Sequence, residues 1–440
     1  MDEEIKMVEK NKTWILVNRP PQTSIIGLKW TYKLKEKEDG SILKYKARIV
    51  AKGYSQIPGV DFNETYAPVV RMETIRILLI FVVQHNLPIY QLDIKSAFLN
   101  GEIEEDIYVE QPRGYEIQGE EDKVYKLLKA LYGLKQSAKA WNGNIDEYLI
   151  SKGFIKTKHD PSLYLKQIGN DVIYVCIYVD DLIVTGTNTT MIKVFKSEME
   201  GKYEMTDLGL LHFFLGFQIT QTATGILISQ EKYATDLLKR FRMKNCNPAV
   251  LPMSPNDILC PSSDNEKPAD STSFRSLVGS LIYLTNTRPD IEFSVNSVSR
   301  FMNNPSKAHY EAAKRILRYV KGTKSYSLFY CKHYHTELIG YADSDWGRSI
   351  EDRRSISAYV FFLGQNILSW SSRKQQFVAL SSAEAEYMAL SKATSEAIWL
   401  RRLIEEVFAE KREGTTIFSD SSSAIALAKN PVYHSRSKHI

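Results

Sequence analysis

The sequence predicts a chain of several mixed α/β (α+β) domains, and three observations carry that expectation. Its 440 residues make about three domains at roughly 100 to 200 residues each. Apolar residues recur with the strand period of two in some stretches and with the helix period of 3.6 in others. After Glu337 the pattern runs through three strands, a helix, a strand and a helix, the order of a self-contained α/β unit.

Taken in order, residues 29–35 and 45–51 alternate around Asp39-Gly40 and read as a long hairpin. Residues 74–84 are apolar on one broad face and begin beside Glu73, an acid suited to a helix N-terminus. A short strand is expected at 89–93, then a helical stretch over 124–149 interrupted at Tyr132-Gly133. Residues 172–179 and 182–185 read as strands hinged on Asp180-Asp181, with a helix at 190–200. The interval 247–273 holds Pro248, Pro252, Pro255, Pro261 and Pro268, which oppose both helix and central strand, so it reads as a linker. Residues 274–321 are mainly helical and end in the cationic group Lys314, Arg315, Arg318 and Lys321. Strands at 338–342, 356–363 and 365–371, a long helix at 383–408, a strand at 416–419 and a helix at 422–429 complete the chain.

Composition narrows the class. With 43% hydrophobic and 25% charged residues the chain has globular proportions, far from those of a disordered one. The longest apolar runs, 77–83 and 172–179, fall far short of the roughly 18 residues of a membrane-spanning helix, so no membrane partner is expected. The N-terminal MDEEIKMVEK is acidic where a secretory signal is basic and apolar, which points to an intracellular, cytoplasmic protein, with a virus-like particle or the nucleus as alternative locations. Cys176, Cys246, Cys260 and Cys331 form no CxxC pair, so reduced thiols and no zinc module are expected. Net charge is +5, and residues 29–53 alone, with eight basic and three acidic side chains, supply an excess of that size. Trp30, Tyr32 and Tyr45 alternate with those cations, as in a ribbon that faces phosphates, or as in a solvated ribbon whose lysines guard its edges.

Asp180-Asp181 sits between two apolar strands, where Asp is common simply as a turn residue. Asp93 changes the balance, because IYQLD also ends an apolar strand in an acid, and two strand ends in one sheet bring three carboxylates together. Such a cluster requires divalent cations, and a pair roughly 3.5 to 4 Å apart is the device that clamps attacking and leaving oxygens in phosphoryl transfer.

YKARIVAKGYSQ, NETYAPVVRMETIR, QLDIKSAFLNGEIEEDIYVEQPRGY, LYGLKQSAKAW and YVDDLIV, in this order and spacing, resemble the reverse transcriptase of copia-type LTR retrotransposons, over nearly the whole chain from Asn11. The resemblance implies a right-hand polymerase fold with fingers, palm and thumb over 11–250. A Pro-rich linker and helical connection would follow over 251–335, then a ribonuclease H-like domain over 336–440. It implies that Asp93, Asp180 and Asp181 hold metal, with the Ile94 carbonyl as a further ligand. Phe98 takes the place of the aromatic gate that excludes a ribose 2′-OH, its alternative being an ordinary core aromatic. Lys46 and Arg48, on one strand face, fall where cations hold the triphosphate, and the choice between them stays open. Gln136 matches a residue lining the nucleotide pocket. Leu215-Gly216, in FLGFQI, resembles the hairpin that grips the primer, or is a packed strand with a bulge glycine.

GYADSDWG, SSAEAEYMAL and TIFSDSSSAIALAKNP resemble the ribonuclease H domain of the same family, which implies a second metal set of Asp343, Glu384 and Asp420. Glu384 has capping-box spacing from Ser381, and Asp345 and Glu386 each stand two residues from the chosen acid; register with the family motif selects Asp343 and Glu384. Ala138, Lys139 and Asn142 depart from the Pro, Arg and aromatic usual around Gln136. The chain stops at Ile440, before the family's next Asp, so an impaired ribonuclease H and a detached C-terminal piece of Pol, a genomic remnant, are expected. The expected function is RNA-directed DNA polymerisation with two Mg²⁺ per active site, Mn²⁺ being the alternative. RNA template, DNA primer, RNA/DNA hybrid and deoxynucleoside triphosphates would be its partners. The rival readings are a catalytically silent nucleic-acid-binding remnant and an expressed fragment without function.

Overall fold

Alternating side chains in Leu28–Glu36 and Ile42–Ala51 produce an antiparallel ribbon, paired from Leu28 with Ala51 out to Glu36 with Ile42. The computed structural model describes residues 1–21, 23–36, 42–254, 259–262, 267–333 and 336–430, so the expected turn at Asp39-Gly40 lies outside the described residues. The described chain divides into two compact units. One holds residues 1–70 and 89–210, the other 71–88 and 211–440, a division that cuts the chain differently from the three parts expected from the sequence. Among the described residues no helix is long and apolar enough to cross a membrane.

The first unit is organised by a six-stranded antiparallel sheet. Its order is Met205–Leu210, Ile89–Ile94, Asp181–Gly186, Asp171–Tyr178, Leu163–Ile168 and Ile155–Lys156. Leu92, Ile94, Ile173, Val175, Ile177, Leu182 and Val184 recur at period two and bury one face. Two helices cover it, Ser137–Ser151 through Trp141, Ile145 and Leu149, and Thr189–Lys202 through Ile192, Phe195 and Met199. The second helix starts where it does because the Asn188 side chain accepts from the Thr190 and Met191 amides.

Residues 124–127, expected to be helical, are a strand instead. Val124–Leu127 pairs with Trp14–Val17, and Trp14 stacks on Tyr125 with ring centres 4.3 Å apart. That cross-strand partner lies about a hundred positions away in sequence, where local periodicity carries no trace of it. Helix begins only at Ser137, after the turn at Tyr132-Gly133.

The second unit takes its central helix from the segment expected in the polymerase part. Met72–His85 has nine consecutive buried residues, Thr74 to Val82, so it is an interior helix with no solvent face along that length. It packs on the helix Ser382–Phe408 and the strands Leu328–Cys331 and Asn366–Lys374. Arg76, 3% exposed, is tolerated there because its guanidinium donates to the Leu368 and Asn286 carbonyls at 3.1 and 2.8 Å, meets Glu73 at 3.3 Å and lies 3.8 Å from the Trp370 ring centre.

The Pro-rich interval is strapped to the helix Lys307–Gly322. Ala249 N donates to the Arg318 carbonyl, while Arg318 Nε, Arg315 Nε and Lys321 donate to the carbonyls of Asn247, Leu251 and Cys246. Irregular backbone leaves carbonyls without ladder partners, and the cationic group of that helix supplies the donors. The last domain is a four-stranded sheet in the order Asn366–Lys374, Ile356–Leu363, Leu338–Asp345 and Thr416–Phe418, the final pair parallel and the others antiparallel. Ser382–Phe408 lies on it, with Ala385, Ala389, Ala393 and Ala397 buried at a spacing of four. Small side chains on that stripe let helix and sheet approach closely.

Candidate functional site

The six-stranded sheet brings the first acid set together. Asp93, at the end of its strand, and Asp181, at the start of the next, are direct cross-strand partners and so share a face, with Asp180 immediately before. Ile94 N donates to the Asp180 carbonyl at 2.9 Å, and Ile94 pairs with Met205 on its other side. Val179 and Asp180 form a two-residue turn between Tyr178 and Asp181. Val179 sits there at φ 57, a conformation costly for a β-branched residue, and Trp141 Nε1 holds its carbonyl at 2.6 Å. The Asp181 carboxyl titrates above the usual range because burial penalises its charge and Asp180 and Asp93 add repulsion, while the Gln91 amide at 3.0 Å opposes the shift. The ligand atoms of Asp93, Asp180 and Asp181 do not all draw within 4.8 Å of one another.

Four expected neighbours of this set fare differently. Phe98 is half-buried at the edge of the sheet core, its ring centre 5.0 Å from that of Tyr132. Arg48 lies with its guanidinium carbon 4.6 Å from the same Tyr132 ring, and Lys46 stands two residues away on the strand. Gln136, expected to line the nucleotide pocket, is placed within a buried amide network. It is 4% exposed, its Nε2 donates to the Asp61 carbonyl and to Glu105, and its Oε1 accepts from Gln56. With donors and acceptor so engaged, its amide ties together the segments around Gln56, Asp61 and Glu105. Tyr132, which touches both Phe98 and Arg48, was not singled out from the sequence; an aromatic just before a turn glycine was the one available signal.

In the other unit, Leu215 and Gly216 form a two-residue turn with φ 50 and 83 between Phe214 and Phe217, not a bulge. The Tyr283 hydroxyl donates to the Leu215 carbonyl, and a Cβ on Gly216 would stand 2.0 Å from that hydroxyl, so glycine is needed for space as well as for φ.

The second acid set is gathered most tightly. The ligand atoms of Asp343, Glu386 and Asp420 all lie within 4.8 Å of one another, contributed by a strand, the long helix and the residue pair after the Thr416–Phe418 strand. Glu386 is 7% exposed; its Oε1 accepts from Ser344 N and Oγ, both at 3.0 Å, and its Oε2 is buried with no hydrogen-bond partner. Burial raises the Glu386 pKa, Ser344 opposes the rise, and Asp343 and Asp420 reinforce it. An orphaned, buried carboxylate oxygen beside two further acids has the donor chemistry of a hard divalent cation site.

Glu384, expected in this set, is not part of it. Its Oε2 accepts from Leu380 N, the residue before the N-cap, at 2.7 Å, and its own amide donates to the N-cap Ser381 Oγ at 3.3 Å, so its side chain serves the start of the helix. Two positions along a helix turn the side chain by about 200°, so only one of Glu384 and Glu386 can face Asp343. Asp345, the other near neighbour, pairs with Arg348 at 3.2 Å.

A family model described as reverse transcriptase (RNA-dependent DNA polymerase) matches residues 11–255. The chain is 41% identical over 441 residues to the retrovirus-related Pol polyprotein from transposon RE1 of Arabidopsis thaliana, a match that covers all of this chain and 30% of that protein. It is 40% identical over 449 residues to the corresponding polyprotein from transposon TNT 1-94 of Nicotiana tabacum, again over all of this chain and 34% of the relative. The putative transposon Ty5-1 protein of Saccharomyces cerevisiae is 34% identical over 287 residues, 64% of this chain and 92% of the relative. The chain thus spans about a third of the length of the plant Pol polyproteins it matches. With a family model over more than half of its residues and Pol polyproteins aligned along its whole length, this chain belongs to the reverse transcriptase family, as a region of a copia-type retrotransposon Pol.

Proposed function

We propose that the chain is an RNA-directed DNA polymerase with an appended ribonuclease H-like hydrolase. The observation that supports the first activity best is the pairing of Asp93 with Asp181 across two strand ends, with Asp180 beside them. Three acids on one sheet edge fit divalent cations, and Asp93, Asp180 and Asp181, with the Ile94 carbonyl, would hold two Mg²⁺. Mg²⁺ supplies charge neutralisation at the attacking and leaving oxygens. The primer 3′-oxygen bonds to the α-phosphorus of a deoxynucleoside triphosphate while the bond to pyrophosphate breaks. Arg48, with Lys46 beside it, holds the triphosphate, and Phe98 lies under the sugar. RNA template and DNA primer are the partners of this reaction, which belongs inside the cell.

For the second activity the orphaned Glu386 Oε2 carries the argument, and Asp343, Glu386 and Asp420 would hold the cations for water attack on the RNA strand of an RNA/DNA hybrid. The test is primer extension on RNA and DNA templates with Mg²⁺ or Mn²⁺, comparing the parent with Asp180→Asn. Extension by the parent and a loss of about 10²-fold or more in the variant support the reading, since the lost group acts on charge in the transition state. A parent that binds primer and template but never extends them is instead the silent nucleic-acid-binding remnant.

A further inference from the structure

The strand Ile42–Ala51 and the turn at Tyr132-Gly133 are locked together through their backbones. Ala51 N donates to the Tyr132 carbonyl at 2.7 Å. Gly133 has φ +95, and a Cβ there would stand 2.2 Å from the Ala51 carbonyl oxygen, while one on Gly53 would stand 2.0 Å from the Gly133 oxygen. No side chain fits between these segments, so the turn and the strand keep a single spacing.

From that anchored turn the Tyr132 ring meets Arg48 and Phe98, at 4.6 Å from the guanidinium carbon and 5.0 Å between ring centres. Arg48 comes from the ribbon, Phe98 from the short helical turn Ala97–Asn100 that follows the Asp93 strand. Both are partly buried, and Tyr132 is the surface they share. Burial raises the Tyr132 phenol to about 12, Arg48 opposing and Asp180 and Asp93 adding to the shift, which places the ring within the field of the first acid set and keeps it neutral at physiological pH.

We propose that Tyr132 is a positioning residue of the nucleotide site, its ring the common support that aligns Arg48 for the triphosphate and Phe98 for the sugar, so that phosphate capture and sugar selection are coupled. The inference rests on the polymerase reading above. A guanidinium on a flexible stem is held by an aromatic face, and two aromatic rings in a tilted pair fix each other's orientation. Removing the ring frees both at once, although Tyr132 itself need touch neither phosphate nor ribose.

The test is steady-state incorporation of deoxy- and ribonucleotides on a primed template by the full chain and its variants. Tyr132→Leu should raise KM for deoxynucleotide about tenfold and raise relative ribonucleotide incorporation by a similar factor, and Tyr132→Phe, which keeps the ring, should restore both. Adding Arg48→Ala to Tyr132→Leu should raise KM no further. Because Tyr132→Leu could fail to fold, Arg48→Ala alone gives an independent reading. It should loosen sugar selection as well as raise KM, because Arg48 and Phe98 both rest on Tyr132. Unchanged sugar selection in Arg48→Ala, or fully additive effects in the double variant, overturns the coupling while leaving the polymerase reading intact. A parent that extends no primer overturns both.

Discussion

Glu386 and Glu384 show how much one residue's orientation decides. Both are acids near the start of one helix, yet one is buried against Asp343 and Asp420 and the other caps the helix from outside. A carboxyl whose pKa is higher in the folded chain than in the unfolded one favours folding while protonated. Its contribution is complete below the ordinary value of 4.5 and is lost as pH rises through the folded value. Metal-free protein should therefore lose some thermal stability as pH rises from about 4.5, and Mg²⁺ should restore it by binding the ionised cluster. Thermal melts across pH with and without Mg²⁺ check this. Glu386→Gln should abolish the Mg²⁺-dependent rise in Tm and lower hybrid cleavage by about 10²-fold or more. Glu384→Gln should retain the rise and cost at most about 1 kcal/mol as a weakened cap. A Mg²⁺ response that follows Glu384 instead would return the metal role to the residue favoured by motif register.

At the scale of elements, the helix Met72–His85 matters most. A sequence apolar on nearly every side cannot rest on one sheet with its back to water, and this helix is enclosed by the long helix and three strands of the second unit. Ile77 is fully buried, so Ile77→Ala should cost about 2 to 5 kcal/mol through lost contacts and the cavity left behind. Hydrogen exchange locates the effect: protection should fall along 328–331, 366–374 and 382–408, the elements against this helix, more than along 171–186 in the other unit. The opposite pattern would mean that the helix belongs with the polymerase part. At the cationic end of Lys307–Gly322, Arg315, Arg318 and Lys321 satisfy the carbonyls of a Pro-rich strap.

For the whole molecule, the distribution of charge counts for more than its sum of +5. With Arg315, Arg318 and Lys321 committed to backbone carbonyls, the ribbon Leu28–Glu36 and Ile42–Ala51 is the better candidate for electrostatic capture of a template. Lys29 and Lys33 are exposed on it. Replacing both with Ala should weaken template binding across sequences and reduce the slope of log affinity against log salt by about two, roughly one per lost phosphate contact. Fluorescence anisotropy with labelled template between low and moderate salt measures that slope, and an unchanged slope would leave the ribbon a solvated hairpin.

What the sequence determined by itself was whatever a local period or a local turn can encode. The ribbon, the strands around Asp180-Asp181, the helix at 72–85 and the order of elements after Glu337 were all legible because alternation and 3.6-residue spacing act over a few neighbours. That Asp93 and Asp181 end or begin apolar strands was legible for the same reason, whereas their pairing side by side is a tertiary contact between distant strands. Tertiary structure decided the rest. Val124–Leu127 became a strand through a partner at 14–17, Gln136 was drawn into a buried amide network with Gln56 and Asp61, and Met72–His85 joined elements more than two hundred residues away. Tertiary structure likewise chose Glu386 over Glu384, because the direction a helical side chain faces depends on which surface the helix rests upon, and residue identity contains no record of that surface.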